Sequence, residues 1–152
     1  NMYSLNLPKF DVKIQKSKTE VQIFDSLRQK FLVLTPEEWV RQHFVNYLIS
    51  EKNYPKSLMA NEASIKLNSM IRRCDTIVYN QQLDPIAICE YKNPKINITQ
   101  ETFDQIVRYN IVLRVKYLIV SNGLNHYCCK IDYENNSYEF LKEIPNYKDI
   151  TV

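Results

Sequence analysis

The sequence predicts an α/β fold with a mixed central β-sheet flanked by helices and a terminal β-hairpin. Three observations support this prediction: a strong helix start near residue 35, three short apolar segments separated by turn residues, and a second helix followed by further apolar segments. The chain has 152 residues, which suffices for one domain with a sizeable core. We therefore expect a single α/β domain.

The first helix is predicted over residues 35–51. Its start is indicated by the segment Thr35–Glu38, where a threonine cap precedes a proline at the first helical position and a glutamate that can close a capping box. Glu37 and Arg41 are expected to form an exposed pair four residues apart. The apolar face of this helix consists of Val40, Phe44, Tyr47 and Leu48.

The remaining elements follow from alternation of apolar and polar segments. Three strands of a meander are predicted at residues 63–67, 74–79 and 86–92. A second helix is predicted over 99–113, a buried strand over 117–120, and a closing hairpin from 125–131 and 137–141. Two helices around a central group of strands give the mixed sheet.

Residues 1–32 are predicted to form a basic arm or short hairpin that precedes the main domain of residues 33–152. Between residues 9 and 30 there are six lysines or arginines and three acidic residues. This local positive charge is compatible with weak attraction to phosphate, but a solvated lysine-rich surface is the simpler explanation.

Composition excludes several classes of function. Gly123 is the only glycine, so the sequence contains neither a phosphate-binding loop nor a dinucleotide-binding fingerprint, because both motifs need more than one glycine. The four cysteines form no C-x-x-C pair, so we expect buried, reduced thiols and neither a zinc site nor a disulfide framework. No apolar run reaches the roughly 18 residues of a membrane span, and no leader opens the chain. These features predict a cytoplasmic protein without membrane contact.

The most informative side chains are Asp75, Glu90 and Lys92, which fall on two consecutive predicted strands. Residues two apart on a strand share a face, so Glu90 and Lys92 point to the same side of the sheet. If the two strands pair as a hairpin, Asp75 is brought beside Glu90. Two carboxylates with an adjacent lysine suit Mg²⁺, or Mn²⁺ in its place, and the chemistry that such a trio would serve is phosphodiester hydrolysis.

A simpler interpretation of the same residues stays open at the level of spacing. Asp75 could cap a turn after Arg73, and Glu90 could form a same-face ion pair with Lys92. An unrelated α/β domain could carry such an ion pair without any catalytic role.

The trio, in this order and between two helices, resembles the PD-(D/E)-x-K nuclease superfamily. Gln105 and Tyr109 on the second helix match the Q-x-x-x-Y motif of its RecB-like branch and of the N-terminal nuclease domain of type I restriction enzyme R subunits. The similarity covers residues 33–142. It rests also on the stretches Thr35–Arg41, Ile88–Pro94 and Thr99–Gln105.

This resemblance implies a restriction-endonuclease-like core with Mg²⁺ on Asp75 and Glu90 and with Lys92 near the attacking water. It also implies that Gln105 and Tyr109 lie near the DNA strand or the catalytic lysine. A glutamate of the first helix often joins the metal in this superfamily, and the candidate is Glu38, with Glu37 as competitor. The capping box explains Glu38 equally well.

Several further side chains are candidates for contact with nucleic acid. Arg72, Arg73 and Arg108 offer guanidinium groups that can bind phosphates, as Lys95 and Arg114 also can, and solvated surface charge is the simpler explanation for each. His43 is expected to be structural or solvated. Similar nucleases sometimes carry a histidine downstream of the trio, but strand packing explains His126 as well, so it is left out of the catalytic set.

The function predicted on this basis is metal-dependent endonuclease cleavage of DNA. A nuclease domain without a phosphate loop implies action alone, as a homodimer, or with partner restriction or translocase subunits. The alternative is a non-catalytic nucleic-acid-binding or scaffold protein that retains the fold.

Overall fold

A computed structural model describes residues 2–152. The strands are β1 Ile14–Lys16, β2 Val21–Asp25, β3 Lys30–Val33, β4 Met59–Leu67, β5 Met70–Tyr79, β6 Pro85–Tyr91, β7 Tyr117–Ser121, β8 His126–Asp132 and β9 Ser137–Phe140. The helices are α1 Pro36–Lys52, α2 Gln100–Asn110 and α3 Tyr147–Ile150, with 3-10 turns at Lys56–Leu58 and Ile111–Leu113. The predicted α/β class is confirmed.

The strands form two sheets. β1, β2 and β3 make a three-stranded antiparallel sheet, whereas β4 to β9 make a six-stranded sheet in sequence order. Within the large sheet β6 and β7 are parallel and every other neighbouring pair is antiparallel. A parallel pair needs a crossover connection, which α2 provides. The predicted mixed sheet and its terminal hairpin, β8 and β9, are therefore present.

Helix α1 begins where the sequence indicates and ends at an asparagine. The Thr35 hydroxyl accepts a hydrogen bond from the Glu38 N–H at 3.0 Å, which satisfies one free donor of the first turn. Asn53 terminates the helix in the left-handed conformation, with φ of 61°.

The two long helices cover opposite faces of the large sheet. Val40, Phe44 and Leu48 of α1 belong to one buried cluster, and Phe103 and Val107 of α2 belong to another. Successive strand residues divide between the two clusters as the alternation of a β-strand requires. Cys128 packs with the α1 cluster and Cys129 with the α2 cluster.

The strand segment before Glu90 departs from simple alternation. The β5–β6 register shifts between Val78 and Tyr79, so that Tyr79 pairs with Pro85. Ile86 consequently packs on the α1 cluster while Ile88 belongs to the α2 cluster. Strict alternation along β6 would put Ile86 on the same face as Glu90, but the one-residue irregularity reverses the direction of the Ile86 side chain.

All four cysteines are free thiols buried in the core, as predicted. Burial raises the pKa of Cys128 to about 12, so this thiol stays protonated near neutral pH. None of the helices in residues 2–152 combines the length and apolar character needed to span a membrane.

The N-terminal region contains the three-stranded sheet, and the chain before it packs on the domain. The Trp39 indole N–H donates to the Tyr3 carbonyl at 2.8 Å. Leu5 lies against Gly123, whose φ is +86° and where a Cβ would come within 2.6 Å of a Leu5 methyl. Asn1 lies outside the described residues.

A buried polar chain links this N-terminal sheet to the large one. The Tyr91 hydroxyl donates to Thr76 at 2.9 Å, and the Thr76 hydroxyl donates to Asn61 at 2.7 Å. The Asn61 amide in turn donates to the carboxylate of Asp25 at 3.1 Å. Asp25 is fully buried and also accepts a hydrogen bond from the Arg28 guanidinium at 2.7 Å.

The variant Asp25→Asn tests how much this series of buried hydrogen bonds stabilises the fold. Burial alone would raise the pKa of Asp25, but hydrogen bonds from Arg28 and Asn61 and the charge of Arg28 lower it below 3.8. The charged form therefore stabilises the native state above about pH 4, and that contribution disappears as the pH falls through the native pKa. We expect a loss of about 2 kcal/mol in unfolding free energy at pH 7, narrowing below pH 3, measured by urea denaturation.

Asp84→Asn is the matched control. Asp84 is exposed, so its substitution is expected to change the unfolding free energy by less than about 0.5 kcal/mol at either pH. A loss in Asp25→Asn that persists undiminished at acid pH would contradict the assignment of the effect to the Asp25 charge.

Candidate active site

The register of the central hairpin brings the two predicted carboxylates together. Thr76 pairs with Cys89, so the next position along the antiparallel ladder places Asp75 opposite Glu90. Directly opposed residues share one face of the sheet, with Cβ atoms about 5 Å apart. The Asp75 carboxylate also accepts a hydrogen bond from the Tyr91 N–H at 2.8 Å, which holds the side chain toward β6.

Asp75 and Glu90 open into a cleft of about 490 Å³ on the α2 side of the sheet. Lys92 follows β6 directly, its N–H donating to the Ser121 carbonyl at 2.9 Å, and its side chain lines the same cleft. The lining residues are Arg73, Asp75, Glu90, Tyr91, Lys92, Thr102, Gln105, Ile106, Tyr109 and Asn110. All five side chains predicted to be catalytic therefore meet in one place.

The simpler interpretation of the trio does not describe this geometry. Asp75 lies in the interior of β5 and caps no turn. Among residues 2–152 there is no salt bridge between Glu90 and Lys92. Both carboxylates instead face the cleft together with the lysine.

Helix α2 contributes the other wall of the cleft. Thr99 caps it by accepting a hydrogen bond from the Thr102 N–H at 3.1 Å, and its apolar side packs into the core. Gln105 and Tyr109, one turn apart, project from the remaining side into the cleft. The Tyr109 ring is half exposed, and the Arg72 guanidinium stacks on it at 4.9 Å from the centroid.

Burial and mutual repulsion govern the charge of the paired carboxylates. Burial and the negative charge of Asp75 raise the pKa of Glu90 to about 9, against weaker hydrogen bonds from the Asp75 backbone and the Asn110 side chain. Glu90 consequently holds a proton at neutral pH when no cation is bound. Two close carboxylates that cannot both ionise are typical of sites that receive a cation or perform acid–base chemistry.

Asn110 is a cleft residue that the sequence analysis missed. Its side chain is 3% exposed and donates to the Ile106 carbonyl at 2.9 Å, whereas its Oδ1 has no hydrogen-bond partner in residues 2–152. A buried acceptor without a donor is costly and usually has a water or ligand partner. The sequence could have indicated Asn110, because helical periodicity places this polar residue on the same buried face as Ile106, four positions earlier.

Glu37 and Glu38, the two candidate metal ligands on α1, lie outside the cleft. Glu38 is buried, but both of its oxygens are engaged by Arg41 at 2.8 and 2.9 Å, and it does not line the cleft. Glu37 is exposed and also outside the cleft. The expectation of an exposed Glu37–Arg41 pair was wrong: Arg41 is 8% exposed and turns inward to Glu38.

Glu62 is a second residue that the sequence analysis missed. It lies opposite Asp75 in the β4–β5 register and has a left-handed φ of 51°, which is unusual for a residue with a Cβ. Its carboxylate binds Arg41 at 2.9 Å and Arg73 at 3.2 Å. Because the sequence does not reveal strand register, no local pattern identified this residue.

The three arginines predicted to bind phosphates differ in their position relative to the cleft, and the two histidines make internal hydrogen bonds. Arg73 lines the cleft, whereas Arg72 reaches it only through the Tyr109 ring, and Arg108 is exposed and outside it. His43 bonds the Trp39 carbonyl at 2.8 Å and His126 bonds Ser121 at 2.7 Å, as structural histidines do.

The donors in the cleft fit a magnesium ion. No three His, Cys, Asp or Glu side chains within residues 2–152 converge on one point, so a cage made only of protein groups is absent there. Mg²⁺ is commonly held by one or two carboxylates and keeps several waters. Asp75 and Glu90 match that requirement, and the buried Asn110 Oδ1 is an acceptor suited to a bound water.

Fold and site together define a mixed-sheet α/β domain with a paired-carboxylate cleft between its central hairpin and a helix. A family model described as the type I restriction enzyme R protein N terminus (HSDR_N) matches residues 36–145. This range is more than two thirds of the chain, and the chain belongs to that family. A search among curated proteins found no match.

A solved structure has a similar fold. It is a fragment of a protein described as an HsdR subunit of a type I restriction enzyme from Vibrio vulnificus YJ016. The superposition has a TM-score of 0.53 with 18% sequence identity, and it covers 77% of this chain and 24% of that chain. The chain therefore spans about a quarter of the length of the solved protein chain that it matches.

Glu90→Gln tests the electrostatic description of the cleft without reference to activity. A native pKa near 9, against 4.5 for an ordinary glutamate, means that wild-type stability falls as the pH rises between these values. Glutamine does not ionise, so its burial adds no such pH-dependent loss of stability. We expect the variant to exceed wild type by about 1–3 kcal/mol in unfolding free energy at pH 8 with chelator present, and to match it at pH 4, measured by urea denaturation.

Glu139→Gln, on an exposed position of β9, is the control and should leave the pH dependence unchanged. A variant that is less stable than wild type at pH 8 would show that Glu90 is favourably ionised and would contradict this description.

Proposed function

We propose that this domain hydrolyses phosphodiester bonds in DNA at the cleft between β6 and α2, with Mg²⁺ held by Asp75 and Glu90. The observation that carries the proposal is the convergence of Asp75, Glu90, Lys92, Gln105 and Tyr109 on one cleft, although they come from three separate elements. Membership in the family of restriction enzyme R protein N termini supports a restriction-related role.

Each side chain has a chemical task in this proposal. A bound Mg²⁺, or Mn²⁺ in its place, supplies Lewis-acid polarisation of the phosphoryl oxygen and acidifies a water. In this proposal Lys92, which lines the cleft, orients the attacking water and neutralises charge that develops on the phosphate. Gln105 and Tyr109 hold the DNA strand along α2, and Arg73 at the rim binds a neighbouring phosphate.

The proposed partners follow from the same family. DNA is the substrate, and one site per chain cuts one strand at a time, so double-strand cleavage requires a homodimer or partner restriction or translocase subunits. Positive charge in residues 9–30 favours approach to a polyanion.

Cleavage of plasmid and single-stranded DNA with Mg²⁺ or Mn²⁺ tests the proposal. We expect Asp75→Asn and Lys92→Met each to lower the cleavage rate by at least about a hundredfold, because each removes a group that acts on the reacting phosphate. Metal titration by calorimetry should show weakened binding in Asp75→Asn only.

Matched controls are available on the same molecule. Asp84→Asn and Lys66→Met make the same chemical changes at exposed positions outside the cleft and should cleave at the wild-type rate. DNA binding by the wild type without metal-dependent cleavage would refute the nuclease proposal and favour a non-catalytic DNA-binding protein. Cleavage that survives Asp75→Asn would place the activity elsewhere.

A further inference from the structure

The geometry points to Arg41 as the positioning residue that holds Asp75 in place, with Glu38 as a partner of Arg41 and not as a metal ligand. This inference rests on the proposed function, because it assigns a support to the proposed metal-binding carboxylate. Nothing in the family match identifies such a support, and the sequence pattern places Arg41 on the surface.

Arg41 is anchored on three sides. Its Nε and Nη2 donate to the two oxygens of Glu38 at 2.9 and 2.8 Å. Its Nη1 donates to Glu62 at 2.9 Å and to the backbone carbonyl of Asp75 at 2.8 Å. A planar guanidinium with this many fixed donors transmits the position of α1 directly to the backbone at Asp75.

The backbone at Asp75 needs such an anchor because the regular ladder is interrupted there. Asn61 pairs with Thr76 and Ala63 pairs with Cys74, but Glu62 and Asp75 between them do not pair. The left-handed φ of Glu62 turns the β4 backbone away from the regular strand conformation. The Arg41 guanidinium therefore supplies, from a side chain, a donor that β4 would supply in an uninterrupted sheet.

Asp75 is consequently held at two points. Arg41 fixes its carbonyl from the α1 side, and the Tyr91 N–H fixes its carboxylate from the β6 side at 2.8 Å. Loss of the first contact lets the backbone shift and weakens the second. The Tyr91 amide is thus a local reporter on the position of Asp75 that requires neither metal nor DNA.

The experiment compares Glu38→Gln with the double variant Glu38→Gln/Arg41→Met. Arg41→Met alone would leave buried carboxylates without a partner and is prone to misfolding. The double variant therefore also removes the negative charge of Glu38, the principal buried partner of Arg41. Glu38→Gln keeps the bond from Arg41 to Asp75. Hydrogen exchange of backbone amides by NMR and Mn²⁺ affinity by calorimetry are measured in both variants after thermal melts confirm folding.

We expect Tyr91 exchange to rise about tenfold and Mn²⁺ affinity to fall about tenfold in the double variant, as loss of one hydrogen bond to a charged donor predicts. The amides of Ile88 and Cys89 in the same strand should exchange at nearly the wild-type rate, which separates positioning from general destabilisation. Glu38→Gln should stay within about twofold of wild type in both measurements.

Three results would overturn the inference or its foundation. Unchanged Tyr91 exchange in a folded double variant would show that Arg41 does not position Asp75. An equal loss of Mn²⁺ affinity in Glu38→Gln and in the double variant would make Glu38 itself the important group. A wild type that binds no Mn²⁺ would overturn the proposed function, whereas the Tyr91 measurement would still decide the role of Arg41.

Discussion

The buried guanidinium of Arg41 is the interaction on which the arrangement of this domain depends. Moving an arginine out of water is costly unless its donors are satisfied, and here Glu38, Glu62 and the Asp75 carbonyl satisfy them. Burial alone would lower the pKa of Arg41, but the two carboxylates raise it, so the charge is permanent. Because its partners lie on α1, β4 and β5, one side chain fixes a helix against the sheet that carries the site.

Around this ion network the molecule retains several locally unfavourable features. Glu62 adopts a left-handed backbone, the Glu90 carboxyl group is buried beside Asp75 with a raised pKa, and the Asn110 Oδ1 is buried without a donor in residues 2–152. Such features persist only where the surrounding structure determines them, and they concentrate at functional sites. Asp75, Glu90 and Asn110 line the cleft, and Glu62 contacts it through its ion pair with Arg73. The well-packed clusters on both faces of the sheet supply the stability that permits these features.

Short sequence patterns predicted the helices and strands, whereas the arrangement of the site depends on contacts between residues that are far apart in the sequence. Thr35 caps the first helix as predicted, and Gln105 and Tyr109 share a helix face because they are four residues apart. The pairing of Asp75 with Glu90 was predictable only on the assumption of a hairpin. Arg41 and Glu62 could not be placed, because their environment depends on a register and an ion network that no short pattern encodes.

The support of the cleft extends beyond the range that the family model matches. That range begins at residue 36, whereas Asp25 and Arg28 precede it and are joined to the site from two directions. Arg28 contacts Glu38 at 3.4 Å on the Arg41 side, and Asp25 is linked through Asn61 and Thr76 to Tyr91 beneath the carboxylates. Because both routes consist of buried polar contacts, a shift of the N-terminal sheet would leave polar groups unsatisfied at both ends. The three-stranded sheet therefore belongs physically to the framework of the cleft.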